Sequence, residues 1–530
     1  MKNENPDVVV IGAGFSGLAS AGLLAARGCK VTVIEQQPHP GGRSGRLERE
    51  GFRFDTGPSW YLMPEVFEHW FRLMGTSASE QLQLRELDPG YRVFFQHRDA
   101  PVDVGTGTAA SALFEALEPG SAPALARYLR TAKEGYELAL EHFLYDDFSS
   151  LTGLLNPKIL RRAPQLAKLL ATSLAGHAAR RFASTEIRQL LGYPAVFLGS
   201  SPKRTPALYQ LMSHLDLADG VKYPMGGFAA VADAMAALAQ KHGAAIHLSA
   251  TATAIETSPG KHPRVTAVRW IDEHGKAQRT EATHVIGAAD VRHLDGELLP
   301  EELQTHTAKS FQRKDPGPSA VLLCLGVKGK LPQLEHHNLL FTTDWDENFS
   351  RIRNGQALQE ETSIYVCKPS ATDPDVAPEG CENLFILVPA PAVPGWGMGA
   401  ADGAGAAMVE AVADAAIDQL ASWAGIEDLR SRIVVRQSIG PGDFAAQYGA
   451  FKGGALGLAH TLGQSAMLRP GNRSATVRGL YYAGSTVRPG IGVPMCLISG
   501  ELAAKAVLGV PGAGPMAESG AATLAQEAGA

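Results

Sequence analysis

The chain has 530 residues, 45% of them hydrophobic and 19% charged, with a formal net charge of −6. That length exceeds one simple core and predicts two intertwined domains, while the acidic balance argues against a general nucleic-acid binder. Five scattered cysteines (Cys29, Cys324, Cys367, Cys381, Cys496), with no C-x-x-C pair and no histidines at ligand spacing, argue against a disulfide scaffold and predict no metal.

The opening MKNENPD is polar and passes at once into an apolar run, so no secretory signal is expected. No window reaches about 18 uninterrupted apolar residues, so no spanning helix is expected either. A reduced cytoplasmic enzyme fits these features.

The run Val8–Ile11 predicts a buried strand, followed by Gly12, Gly14 and Gly17 in G-x-G-x-x-G spacing. An Ala/Leu-rich helix, a second strand at Val31–Ile34 and an acid at Glu35 come next. Each part has a mechanical reason. Gly12 permits the tight turn, Gly14 lets a pyrophosphate approach the backbone, and Gly17 lets the helix lie close on the sheet. The free N–H groups of the helix start face the phosphates, and Glu35 stands where a carboxylate accepts ribose hydroxyls. The glycine spacing alone also occurs in ordinary loops; strand, turn, helix, strand and acid in this order point to a dinucleotide site. Glu at position 35 argues against a 2′-phosphate, hence against NADP.

Gly41-Gly42-Arg43 follows within a turn of Glu35, and Phe54-Asp55-Thr56-Gly57-Pro58 a little later. Paired glycines let backbone come close to a cofactor, and Arg43 offers a fixed cation for a pyrophosphate. A plain glycine turn with a solvated arginine has the same spacing. With these residues in place, the segment resembles the FAD-binding start of the amine oxidase and carotenoid desaturase group of flavoproteins. The resemblance implies FAD as cofactor, with Glu35, Gly42, Arg43 and Gly57 among the residues that hold it.

Residues 154–181, LLNPKILRRAPQLAKLLATSLAGHAARR, are basic and amphipathic, with Lys158, Arg161, Arg162, Lys168, Arg180 and Arg181 flanking Leu160, Leu166, Leu169 and Leu170. Such a helix covers a core with a solvated face, or lies in a membrane interface with anionic lipid under its cations. Arg161 lies in an L-R-x-x-P-Q-L stretch similar to that of the desaturases. The likeness implies a place for Arg161 at the mouth of the substrate cavity and makes it the one candidate catalytic side chain. Relatives carry an acid where this chain has Lys158, so no acid–base pair is expected there.

Tyr223-Pro224-Met225-Gly226-Gly227 leads into a helix with Val231, Met235 and Leu238 at helical spacing. Short strands follow at Ile246–Leu248 and Ala252–Ile255, with Ala252 taken as a cofactor contact. Val265–Ile271 pairs across the Glu273-His274-Gly275 turn, and Thr283–Asp290 is a buried strand ending in small residues, like the V-x-x-A-D end of the family's FAD domain. Further strands are read at Ala320–Leu325 and Leu384–Val388.

Toward the C-terminus stand Phe451-Lys452-Gly453-Gly454-Ala455, His460, Leu468-Arg469-Pro470, Asn472-Arg473 and then GLYYAGSTVRPGIGVPMCLISGELAAKAV at 479–507. A strand at Leu480–Ala483 ends in Gly484; a turn with Pro489, Gly490, Gly492 and Pro494 follows; a helix starts near Met495. Only Gly and Pro make such backbone, and it aims a helix N-terminus at something, although a structural loop has the same composition. The P-G-x-G-x-P pattern resembles that of bacterial and archaeal phytoene desaturases, as do Ala371–Pro374, Ala377–Gly380, Val388–Pro391 and His337-Asn338. The likeness covers nearly the whole chain to about Val507. It implies that Gly484, Ser485, Pro494 and Met495 belong to the FAD site. Many relatives in the wider group carry Gly-Asp where this chain has Gly484-Ser485, so weaker retention of FAD is expected.

The expected fold is α/β: a Rossmann-like FAD-binding domain from the discontinuous segments 1–90, 223–296 and 438–508. Segments 91–222 and 297–437 form a mixed α+β substrate domain with a helical membrane-contact region, and 509–530 a disordered tail. The resemblance implies a phytoene desaturase at the surface of an anionic bilayer, making a longer polyene, with lycopene as product. With no second nucleotide motif, the electrons go to oxygen or a quinone. A carotene cis–trans isomerase or saturase, a C30 diapophytoene desaturase, and a carotenoid-binding scaffold with a vestigial flavin site remain alternatives.

Overall fold

The computed structural model describes residues 6–148 and 157–518. Residues 154–156 of the basic segment, the side chain of Lys158 and residues 519–530 lie outside the described residues.

Short runs of β-branched residues build the first sheet. Its strands are β1 (Asp7–Ile11), β2 (Lys30–Ile34), β3 (Ala245–His247), β4 (His284–Gly287) and β5 (Leu480–Tyr482), all parallel, in the spatial order β5-β4-β1-β2-β3. Both faces of a parallel sheet are covered, which is why β1 reads as continuous apolar sequence rather than an alternation. Val8 and Val10 face one core with α1 (Phe15–Ala25), α2 (Pro64–Leu73), α4 (Gly227–Lys241) and α5 (Val493–Leu508). Val9 and Ile11 face another, closed by the antiparallel strands Thr251–Thr257, Val265–Ile271 and Ala277–Glu281.

Helix α1 is buried along its whole length, so it must lie hard against its neighbours. At Gly17 an added Cβ would meet the carbonyl oxygen of Gly12 at 2.0 Å. Helix α4 starts on a half-buried acid: the Asp55 carboxylate accepts the N–H groups of Phe228 (2.6 Å) and Ala229 (3.2 Å). Two chain segments more than 170 residues apart are thereby fixed to one another.

A second, seven-stranded sheet runs in the order Ile433–Ile439, Ser319–Lys328, Cys381–Ala390, Ile364–Cys367, His337–Phe341, Tyr91–Phe95, Val102–Val104. One pair, His337–Phe341 with Tyr91–Phe95, is parallel; the others are antiparallel. The strands expected at Ala320–Leu325 and Leu384–Val388 are its second and third members, paired with one another, each longer than the apolar run alone indicates. The basic segment forms α3 (Pro157–Ala171), which turns Ile159 and Leu169 inward and leaves Leu160 and Leu170 exposed. Among the described residues no helix is long and apolar enough to cross a membrane.

The tail departs from expectation as far as it is described. Met516 is buried and its N–H donates to Glu501 (2.6 Å), while the Lys505 ammonium donates to the carbonyls of Gly512 (2.8 Å) and Gly514 (2.6 Å). His69 stands between Glu501 (3.2 Å) and Glu518 (3.1 Å). A low-complexity segment is thus held by its own carbonyls and one methionine, features that composition does not register.

Replacing Gly17 by Ala should destabilise the protein by about 3 kcal/mol, the upper range for overpacking, because the clash is with backbone. A melting midpoint equal to that of the parent would show that the turn yields.

Candidate functional site

The ends of β1, β2 and β4, the Gly41–Arg43 turn and the start of α5 converge. The glycine turn is crossed by a second backbone: Gly41 N–H donates to Ala13 O (2.9 Å), and Gly14 and Gly41 form an isolated parallel bridge. Gly12, Gly14 and Gly42 are half-buried around this crossing. Glu35, at the end of β2, is buried; its carboxylate accepts the N–H of Ala13 (2.6 Å) and of Gln37 (2.8 Å). Burial raises its pKa, and those N–H groups oppose the rise.

The Arg43 guanidinium donates to Ser485 Oγ (3.0 Å) and to Leu456 O (3.0 Å), joining the glycine turn to the loop after β5. Gly57 packs on the carbonyl of Arg43, and Gly484 N–H donates to Ser499 Oγ (3.0 Å) on α5. Pro494 and Met495 sit half-buried in the first turn of α5. Ala252 is half-buried on its strand, two residues beyond Ala250, whose N–H donates to Glu35 O (2.8 Å). A narrow crevice lined by Arg43, Asp290, Phe451, Gly457, Leu458 and Thr486 runs between these parts. Asp290 closes it by accepting the N–H of Arg292 (2.9 Å) and of Phe451 (3.2 Å).

Arg161 is not among them. It is exposed on α3, beside Arg162, whose guanidinium reaches Glu134 O (3.3 Å).

Sequence reading missed what lies beyond Gly57. Ser59 hydrogen-bonds Tyr365 OH, which hydrogen-bonds His337 Nδ1 (2.8 Å). The Trp60 ring stacks on His337 (4.7 Å between centroids) and meets Tyr91, Tyr193, Phe197 and Tyr365. Beneath it, fully buried Asp216 accepts the hydroxyls of Tyr193 (2.7 Å) and Tyr91 (3.2 Å). With only neutral donors to offset burial, the Asp216 carboxyl is pushed up to about 7.

The fold also brings together donors that the sequence keeps apart, so the absence of ligand spacing along the chain does not carry into space. His337 and Cys367 are register partners across antiparallel strands, and with His336 they offer atoms within 4.8 Å of one another. All three are held neutral by burial: His336 is lowered to about 3, His337 lies well below the usual imidazole range, and the Cys367 thiol is pushed up to about 12. His336 Nδ1 is engaged by Thr372 Oγ1 (2.7 Å).

The cluster around Trp60 is therefore aromatic, with its buried acid, Asp216, held toward the neutral form. An open cleft of about 570 Å³ is a different place, where charged Lys203, Arg204, Asp315, Asp346 and Lys452 alternate with Phe349, Ile352, Val393 and several prolines.

The family described as flavin containing amine oxidoreductase matches residues 15–508. A carotenoid 3,4-desaturase of Haloarcula japonica is 40% identical over 502 residues, 95% of this chain and 98% of that protein. A zeta-carotene-forming phytoene desaturase of Myxococcus xanthus is 34% identical, covering 93% and 92%. A 4,4′-diapophytoene desaturase of Staphylococcus aureus is 31% identical, covering 93% and 97%. Among solved structures, putrescine oxidase bound to putrescine superposes with a TM-score of 0.55 at 17% identity, covering 96% of this chain and 99% of that one. An oxidoreductase of Methanosarcina mazei gives 0.54 at 17%, covering 93% and 98%; these two likenesses are of fold.

The folded protein keeps a proton on Asp216 that the unfolded chain, with an ordinary carboxyl, releases. Stability from this group is thus lost as pH rises from about 4 to about 7. Asp216→Asn lacks that loss, so its melting midpoint should rise relative to wild type between about pH 5 and pH 7.5. A pH-independent difference would place the carboxyl at its ordinary value.

Proposed function

The chain belongs to the flavin-containing amine oxidoreductase family, in its carotenoid desaturase branch, and from that premise we propose that it desaturates a carotene with FAD as oxidant. The substrate in this reading is phytoene and the product a longer polyene, lycopene at the end of the series. The residues present fit the cofactor: Glu35 for the ribose, the Gly12–Gly17 turn with Gly42 and Arg43 for the pyrophosphate, and Gly57, Ser485 and the Pro494–Met495 helix start for the rest. Bound there, FAD supplies a hydride acceptor: one C–H leaves with its electron pair, a neighbouring C–H loses a proton, and a C=C bond forms.

The protein's own part is positioning and exclusion of water. The observation that supports the reading is the largely buried aromatic cluster around Trp60, three residues along the chain from Gly57. A hydrocarbon offers no polar group to recognise, so shape and aromatic contact must orient it. Loss of a proton from a carbon next to an allylic cation asks little of a base, in keeping with a cluster without paired carboxylates.

A hydrocarbon substrate resides in lipid, so we place the protein in the cytoplasm at the membrane surface. Exposed Leu160 and Leu170 of α3, among Arg161, Arg162 and Lys168, support contact with an anionic bilayer. The segment 460–468 adds exposed Leu462, Met467 and Leu468; Tyr209, on the short helix against which α3 packs, hydrogen-bonds both His460 (2.6 Å) and Ser465 (3.2 Å). Arg161 then belongs to the entrance rather than to the reacting centre. Oxygen or a membrane quinone takes the electrons.

A second reading has one observation in its favour. The Haloarcula relative, at 40% identity, is a carotenoid 3,4-desaturase, which favours a carotenoid already extended by other enzymes.

Expression in cells that accumulate phytoene should give coloured, more desaturated pigments by chromatography. Colour only in cells supplying an extended polyene would select the second reading, and unchanged pigment in both would defeat the first and the second. Replacing Leu160, Leu170 and Leu468 together by Ser should cut co-sedimentation with phosphatidylglycerol vesicles several-fold at constant thermal stability; equal binding would remove this face from the membrane.

A further inference from the structure

Arg469 is one of the largest fully buried side chains, 2% exposed. Its donors all go to backbone carbonyls: Nε to Val487 O (3.1 Å), Nη1 to Gln464 O (3.0 Å), and Nη2 to Leu458 O (2.9 Å) and Ser485 O. Among the described residues no carboxylate pairs with it, and the ionisable groups that favour its charge are Tyr209 and Cys496. The imidazole beside it, His460, is neutral: its Nε2 accepts the N–H of Ile491 (3.1 Å), and burial and Arg469 hold its pKa well below the usual range.

Carbonyl dipoles satisfy the N–H groups but leave a full charge uncompensated, and a buried charge without a counter-charge costs several kcal/mol. One of the carbonyls that Arg469 holds belongs to the crevice wall and two lie next to it in the chain. Leu458 lines the crevice, and Ser485 and Val487 flank Thr486, which lines it too. Cys496, in the first turn of α5, feels the charges of both Arg43 and Arg469. The two guanidiniums meet at one residue, Arg43 donating to Ser485 Oγ and Arg469 to Ser485 O, and Gly484 N–H ties the same loop to Ser499 of the sixteen-residue helix α5. At Ser485 this chain has a hydroxyl where many relatives of the wider group have an acid, so no carboxylate there reduces the field. The acid that does line the crevice, Asp290, is occupied by Arg292, Phe451 and Thr486.

We propose that Arg469 is a positioning residue that supplies the buried counter-charge for the flavin as it is reduced. Two electrons and one proton leave an isoalloxazine with one net negative charge. Arg469, behind the Ser485–Val487 backbone and beside the start of α5, keeps positive potential where that charge develops. It also locks the loop: an added Cβ at Gly490 would meet His460 Nε2 at 2.3 Å, so the turn, the imidazole and the guanidinium pack as one block. The bound flavin becomes a stronger oxidant, able to take hydride from an unactivated hydrocarbon and suited to acceptors of high potential. The inference rests on the flavin reading of the crevice.

The test uses FAD-loaded full-length enzyme with sulfite, which adds to oxidised flavin and places a negative charge on the ring. Arg469→Met should weaken sulfite binding at least tenfold and shift the reduction equilibrium against a reference dye at least tenfold toward oxidised flavin. Arg469→Lys should recover most of both effects. FAD affinity, read by fluorescence of the released cofactor, should change less than either. Should Arg469→Met not accumulate in folded form, Cys496→Asp decides: a carboxylate beside Arg469 should weaken sulfite binding by a similar factor. A folded, flavin-loaded Arg469→Met with unchanged sulfite affinity and potential overturns this inference alone. A wild-type protein that takes up no FAD overturns the flavin reading and this inference with it.

Discussion

Backbone has to touch backbone where the first strand ends, and the rest of the molecule is arranged around that contact. The carbonyl of Gly12 occupies the space where residue 17 would carry a side chain, and the chain at Gly41 crosses Gly14 closely enough to form a bridge. Because α1 lies so near the sheet, α5 can pack along it closely enough that a Cβ at Gly500 would meet the carbonyl oxygen of Ser16. Arg43 then needs only one hydrogen bond to reach Ser485, more than 440 residues away in sequence. Remove the close approach and the helix start, the arginine and the C-terminal loop no longer address one point.

The division between what could and could not be read from the sequence follows contact range. Gly12, Gly14, Gly17 and Glu35 were legible because strand, turn, helix and acid are consecutive and their spacing is itself the geometry. The Gly/Pro turn before α5 was legible for the same reason. Trp60 was not: its partners Tyr91, Tyr193, His337 and Tyr365 come from strands and loops spread over some 300 residues, and nothing local marks it as the centre of a cluster. Asp216 carried no signal either, since an acid in LDLADG reads as solvated until two buried tyrosines are found on it. The pairing of His337 with Cys367 depends on strand register, which separate segments do not encode visibly. Arg469 was in view within L-R-P, but its lack of an acidic partner is a property of the folded interior. The contacts of residues 512–516 were not legible because they are made by backbone groups, which every residue has.

Charge is distributed to a purpose across the two halves. Cations and a helix start gather on the cofactor side, while on the other side the imidazoles of His336 and His337 are kept neutral by burial and the Cys367 thiol stays protonated.

The order of strands in the first sheet carries a consequence for biosynthesis. β1 and β2 emerge from the ribosome early, yet β4, the neighbour of β1, follows some 250 residues later, and β5 with α5 almost 200 after that. A nascent chain therefore holds an open parallel edge through most of translation, with its glycine turn facing no partner, and cannot complete the cofactor crevice until Leu508 is free. Such long-range pairing is slow, and it leaves strand edges exposed until the last segment has been made.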